Sequence, residues 1–168
     1  MREAGLQPRG DFRLNVTNRE TQAVLASLGL SDALLSPELT LPQIRDLGVS
    51  AEPCSAGEKA AFVYGRIPLM VLEKCAIRAV ADCSVCAAGK ALLCDRRGEK
   101  FPMLRTWQHR TLIVNSRPTY MLDKSSQLAG AGVTTEHFIF TVETPAEVDA
   151  VLGAAERGTP PQGNVRRI

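Results

Sequence analysis

At 168 residues the chain has room for one core of its own, but not for a complete eight-stranded βα barrel, which takes roughly 250 residues. Its composition is 45% hydrophobic and 23% charged, with a formal charge of +2, which is ordinary for a soluble globular protein. That balance makes no demand for nucleic acid or an acidic membrane surface, and no run of about 18 apolar residues or signal-like start is present. A cytoplasmic protein with neither a membrane span nor a leader is therefore expected.

Taken in chain order, residues 12–16 predict a short strand, and Thr17 with Glu20 has the capping-box spacing T-x-x-E. The helix this box starts, through Val24, Leu25 and Leu28, ends at Gly29. A second strand is expected at 33–36. A second capping box, Thr40 with Gln43, opens a helix closed by Gly48. A third strand follows at 61–64. Far downstream, 137–142 reads as a fourth strand. It leads into Thr144-Pro145-Ala146-Glu147, a third capping box with Pro at the first helical position. The helix after it presents Val148, Val151 and Leu152 on one face and stops near Gly158.

Strand, cap and helix recurring over short connections is the pattern of βα units around a parallel sheet. About four such units fit in 168 residues, so the expected fold is α/β, a partial (half) TIM-barrel-like repeat over 1–157. The alternation breaks between 66 and 116. There 92–95, 101–104 and 111–114 predict short antiparallel strands with a turn at Arg97-Gly98, an inserted lobe, before a helix over 120–128. The Pro/Gly-rich stretch 158–168 reads as a linker or tail.

The inserted lobe carries four of the five cysteines, spaced C-x7-C-x2-C-x7-C at Cys75, Cys83, Cys86 and Cys94. A free cysteine behaves as a small core hydrophobe and is normally scattered along the core pattern. Four clustered among Gly, Asp, Lys and Arg look like ligands. Without a secretory signal, metal binding or catalysis is favoured over a disulfide framework. The odd count agrees, Cys54 standing apart in a polar loop as a bystander. Four thiolates suit an iron–sulfur cluster or a closed tetrahedral zinc site. A zinc ribbon usually shows two C-x2-C knuckles and this chain has one, at Cys83 and Cys86, which favours the cluster.

The runs YGRIPLM (64–70), DRRGEKFPM (95–103), HR (109–110) and NSRPTYM (115–121), with the cysteines between them, resemble the peptidase U-32 family of collagenase-like proteins. GDFRLNVTN (10–18) and LLSPELTLPQIRDLG (34–48) are similar to strand ends in the later half of that family's barrel. The resemblance covers nearly all of this chain but only the C-terminal portion of the family's usual length. It implies a TIM-barrel-like domain and a 4Fe–4S cluster, used by several members in hydroxylating nucleobases of RNA or the ring of a quinone precursor. It also implies proteolysis, the family's historical assignment. In the family pattern the residue at Cys94 is not usually Cys, whereas His109 lies where many members place one. The fourth ligand therefore stays open between Cys94 and His109, since an imidazole can replace a thiolate on iron.

In barrels and parallel sheets, working residues stand beyond the carboxyl ends of strands. Here those positions hold Asn18, Glu38, Arg66 and Glu143. Arg66 is placed to clamp a carboxylate or phosphate. Glu38 and Glu143 are the candidate acid or base, or else they favour helix N-termini through the dipole. Arg97, Arg110 and Arg117 are candidate contacts for an anionic substrate, or partners for nearby carboxylates. Trp107, beside Arg105 and Arg110, is one candidate stacking platform. Protease signatures are missing, since there is neither H-E-x-x-H nor G-x-S-x-G. His109 and His137 have no evident nucleophile partner.

Three functions follow as expectations. The first is a U-32-type iron–sulfur protein acting in hydroxylation of RNA or a related aromatic substrate. The second is a collagenase-like peptidase, and the third a non-enzymatic module stabilised by zinc. The partners expected are a complementary barrel half or a second copy, and an RNA or protein substrate, with no membrane.

Overall fold

The computed structural model describes residues 5–47, 58–159 and 166–167. Among them the elements run α1 (Arg19–Ser27), β1 (Asp32–Leu34), α2 (Leu41–Asp46), β2 (Glu58–Gly65), β3 (Pro68–Leu72), α3 (Cys83–Ala87), β4 (Leu92–Cys94) and β5 (Lys100–Arg105). They continue with β6 (Thr111–Val114), β7 (Thr119–Tyr120), α4 (Ser125–Gly130), β8 (Val133–Ile139), α5 (Pro145–Arg157) and β9 (Arg166–Arg167). The chain divides into two compact units. One comprises Met1–Tyr64, Met121–Ile139 and Arg157–Pro160, the other Gly65–Tyr120, Phe140–Glu156 and Pro161–Ile168.

The first unit is organised on β2, whose residues from Lys59 onward are all buried. A strand covered on both faces reads as a continuous apolar run, and KAAFVYG is one. β1 pairs with it in parallel, Asp32 opposite Glu58 and Leu34 opposite Ala60, and β8 also pairs with β2. The segment expected as a strand at 12–16 is instead a 3₁₀ turn, Phe12–Leu14, capped by the Asp11 side chain. It reaches the sheet only through single bridges, Gly10 to Ala33 and Val16 to Leu35. The first helix begins one residue later than Thr17 suggests. Asn18 is its cap, its Oδ1 accepting from the Thr21 N–H at 2.9 Å, because a short amide side chain reaches the third N–H from that position. The box of Thr40 and Gln43 at α2 is present as expected. Gly48 and Cys54 lie outside the described residues.

A lysine sits inside this unit. Lys59, 8% exposed, donates from Nζ to the carbonyls of Ile44 and Ala131, each at 3.0 Å. These carbonyls stand at the C-terminal ends of α2 and α4, where backbone acceptors lack helical partners. One ammonium thus closes two helix ends.

The second unit holds the inserted lobe, a four-stranded antiparallel sheet in the order β3-β6-β5-β4. The three antiparallel strands and the turn at Gly98 (φ 80) are as the sequence predicts, while β3 was not foreseen. Its sequence PLMVL has no polar alternation, and Leu69, Met70 and Val71 are all more than half exposed, so the period-2 signal is missing. β7 pairs in parallel with β9, so two residues of the expected tail form a strand, Arg166 opposite Thr119.

The box at α5 is formed. Glu147 Oε2 accepts from the Thr144 N–H (2.7 Å) and Oγ1 (2.8 Å). Val151 and Ala154 are its buried residues, whereas Leu152 is 41% exposed, one position off the expected face. The Thr144 N–H holds the Glu147 carboxyl below its ordinary value of 4.5. A depressed carboxylate contributes stability above its unfolded value and loses it as pH falls through the folded one. The melting-temperature gap between wild type and Glu147→Gln should therefore be present at pH 7 and close between pH 4.5 and lower values. A gap unchanged at pH 3 would show that the charge does nothing there.

Among the described residues the architecture is mixed α/β, with two small sheets and five α-helices. Parallel pairing between strands linked by a helix is seen at β1 and β2, whereas the whole of β3 to β6 is antiparallel. The fourth predicted strand lies at Val133–Ile139 rather than 137–142, because the turn at Gly132 (φ 84) starts it earlier and the chain bends away after Ile139. No helix among the described residues is long and apolar enough to cross a membrane.

Candidate metal centre

The cysteines are placed by the local rules of the lobe. β3 ends at Leu72, and the next residues turn across the start of β6. Thr111, 1% exposed, clamps this crossing. Its Oγ1 donates to the Lys74 carbonyl at 3.4 Å and accepts from the Ala76 N–H at 3.2 Å, fixing the backbone on both sides of Cys75. A 3₁₀ turn, Ile77–Ala79, follows, and then α3, which carries Cys83 and Cys86. Residues three apart on a helix share a face, so the C-x2-C spacing puts both thiols on one side of α3. Cys86 is buried with Ile77, Ala91, Met103 and Ile113, and Cys75 packs against that cluster half-buried. Cys83 is exposed.

These three cysteines line one cavity of about 510 Å³, together with Glu73, Lys74, Arg78, Arg105, Gln108 and His109. Cys94 is not among its lining residues. It is exposed on β4 and its Sγ donates to the Asp95 carbonyl at 3.7 Å. The electrostatics differ from thiol to thiol. Backbone N–H groups of Arg78 and Ile77, with smaller help from Cys86 and Thr111, hold the Cys75 thiol below its ordinary value despite burial. Burial pushes the Cys86 thiol up and the neighbouring Cys75 adds to this, while the Arg105 charge pulls it back. Cys75 is thus the readier thiolate of the two, and thiolates are what bind metal.

Among the described residues, no three Cys, His, Asp or Glu side chains gather about a single ion position. Closed tetrahedral zinc needs its donors at one point. A cluster distributes them, one thiolate to each iron, around a larger volume. Cys75, Cys83, Cys86 and His109 line one cavity without meeting at such a point.

His109 reaches the cavity through an unusual turn. Gln108 and His109 are consecutive left-handed residues, φ 56 and 58, neither of them glycine. Such conformations cost of order 1–3 kcal/mol each. The Thr106 N–H donates to the Arg110 carbonyl at 2.9 Å, closing the turn, and Arg110 Nε pairs with Glu73 Oε2 at 2.9 Å, tying it to the loop before Cys75.

The other predicted site residues are placed differently. Arg66 and Glu143 do not present free charges. Arg66 Nε lies 3.5 Å from Glu143 Oε1, with the two side chains 17% and 5% exposed. Arg66 Nη1 also donates to the Asn115 carbonyl at 3.0 Å and to that of Ser116. Glu143 Oε2 accepts from the Thr141 and Val142 N–H groups. Glu38 is exposed in the other unit, and Asn18 is a helix cap. Arg110 pairs with Glu73, and Arg117 pairs with Glu99 at 3.4 Å. Arg97 sits in the β4–β5 turn, its N–H donating to Asp95 Oδ1. Trp107 is 76% exposed, and His137 lies on β8.

Lys74, Arg78 and Arg105 are cavity residues that sequence reasoning did not single out. Their only sequence signal was basic side chains next to, three after, and a strand away from Cys75. No family model, no curated protein and no solved structure matches this chain.

Proposed function

We propose that the chain is a U-32-type domain that holds an iron–sulfur cluster in the cavity lined by Cys75, Cys83 and Cys86. On this reading it acts in hydroxylation of RNA or a related aromatic substrate. The observation that carries the reading is the convergence of three thiols, separated by up to 11 positions in sequence, on one cavity wall. Such a cluster supplies one-electron chemistry when bound. The protein's own part is to hold the thiols, with Thr111 fixing the backbone at Cys75 and α3 pairing the other two. Lys74, Arg78 and Arg105 surround the same opening with positive charge, which suits an anionic substrate such as RNA phosphate. A complementary barrel half or a second copy of the chain, either of which this reading accommodates, is the proposed partner.

Anaerobic purification tests the proposal. The protein should be brown, with about four iron and four sulfide per chain, and Cys83→Ser should bleach it. A colourless protein with one zinc per chain would replace the cluster by the structural module. A peptidase remains the rival activity, so gelatin cleavage and RNA hydroxylation are assayed side by side. Cleavage that survives loss of the metal would put the peptidase first.

A further inference from the structure

We infer that the cavity is a binding site for a compact oxyanion of the phosphate monoester class, held by Lys74, Arg78 and Arg105. The reading above asks only for an anionic substrate. This inference names the chemistry of the anion, and it does not depend on iron being bound.

Three observations carry it. The first is which cations are left over. Within this unit Arg66, Arg110 and Arg117 each meet a carboxylate. Lys74, Arg78 and Arg105 have no ion-pair or side-chain hydrogen-bond partner among the described residues, yet all three line one cavity. Glu73, the carboxylate in the same lining, is already engaged by Arg110 at 2.9 Å. Three uncompensated charges therefore face one opening in a chain whose formal charge is only +2. Like charges held together repel, and a bound anion removes that cost. The second observation is geometry. The three cations come from separate places: the loop after β3, the 3₁₀ turn Ile77–Ala79 and the end of β5. A nucleic-acid strand is tracked by cations strung along a groove. Cations drawn from three elements onto one concavity of about 510 Å³ suit a small ligand instead. The third is the donor count. A carboxylate offers two oxygens and one charge, whereas a phosphate monoester offers three oxygens and about two charges at neutral pH. Two guanidinium forks and an ammonium match the phosphate, and the Gln108 amide in the same lining adds an uncharged donor.

The test is calorimetric titration of the anaerobically purified full chain, with iron counted on the same sample. The probes are inorganic phosphate, a nucleoside 5′-monophosphate and a short oligonucleotide without terminal phosphates. Phosphate should bind once per chain and compete with the monophosphate. Arg78→Met and Arg105→Met should each weaken it by about 10- to 100-fold. Both side chains are exposed, so these variants should melt close to wild type. Lys100→Met, outside the cavity, should bind as wild type does. A monophosphate bound no more tightly than phosphate makes the free ion a sufficient ligand, while one bound about tenfold tighter makes the phosphate the handle of a larger one. Absence of saturable phosphate binding, equal affinity for the oligonucleotide, or binding unchanged in both arginine variants overturns the inference whatever the iron content. A chain that binds phosphate but no iron upholds it and sinks the cluster reading alone.

Discussion

Arg66→Ala should destabilise the second unit by about 3–5 kcal/mol, the cost of stranding one member of a buried ion pair. Glu143, 5% exposed, would keep its two backbone N–H bonds at Oε2 but have nothing opposite Oε1. The Asn115 and Ser116 carbonyls would lose the Nη1 donor at the same stroke. For a chain of this size such a loss lowers the melting temperature by roughly 10 °C. Removing both charges with apolar replacements, Arg66→Met with Glu143→Leu, should recover the part that belongs to the unpaired charge, and leave the part that belongs to the backbone groups at 115, 116, 141 and 142. Thermal melts of the two single variants and the double variant decide the matter. An Arg66→Ala protein that melts with wild type would return Arg66 to the role its strand-end position suggested, a clamp held ready for substrate.

Lys59→Met is expected to cost about 2–4 kcal/mol, since two carbonyls lose the buried ammonium that donates to them while the apolar stem is retained. The pH dependence is opposite to that of a lysine held in a salt bridge, whose pKa is raised. Burial lowers the Lys59 pKa from its ordinary 10.5. The unfolded chain then binds more protons than the folded one in the window just below that value, so the contribution of Lys59 to stability rises with pH there. Proton loss does not undo the structure, because a neutral amine still carries two hydrogens for two carbonyls. Denaturation by urea at pH 7 and pH 10 should show the gap between wild type and Lys59→Met widening. A gap that narrows would mean that the ammonium charge, not its hydrogens, holds the helix ends.

What could be read in the sequence was what depends on neighbours in the chain. The boxes at Thr40 and Thr144, the turn at Gly98 and the three short strands of the lobe are set by residues a few positions apart, and they stand where expected. What depends on distant packing was missed. Apolar β3 lies exposed beside β6, and Arg66 meets a carboxylate 77 positions away (143 − 66), which no local spacing announces. The site divided in the same way. Cys83 and Cys86 were legible as a C-x2-C pair, but the short helix that carries them was not. The exclusion of Cys94 and the inclusion of Arg105 follow only from which face of β4 and β5 turns toward the cavity.

The lobe that carries the thiols is a continuous insertion, residues 65 to 120, flanked in sequence by the two larger parts of the first unit. Its sheet closes over short loops, such as the 37 positions separating Lys74 and Thr111, whereas Lys59 on β2 waits for Thr134, 75 positions downstream. Pairings of low sequence separation form sooner, and chains fold as they leave the ribosome. The order of synthesis therefore delivers the antiparallel sheet of the lobe while β2 still lacks β8 and Arg66 still lacks Glu143. The cavity that gathers Cys75, Cys83 and Cys86 is therefore lined before the strand that leads into the lobe has its last partner.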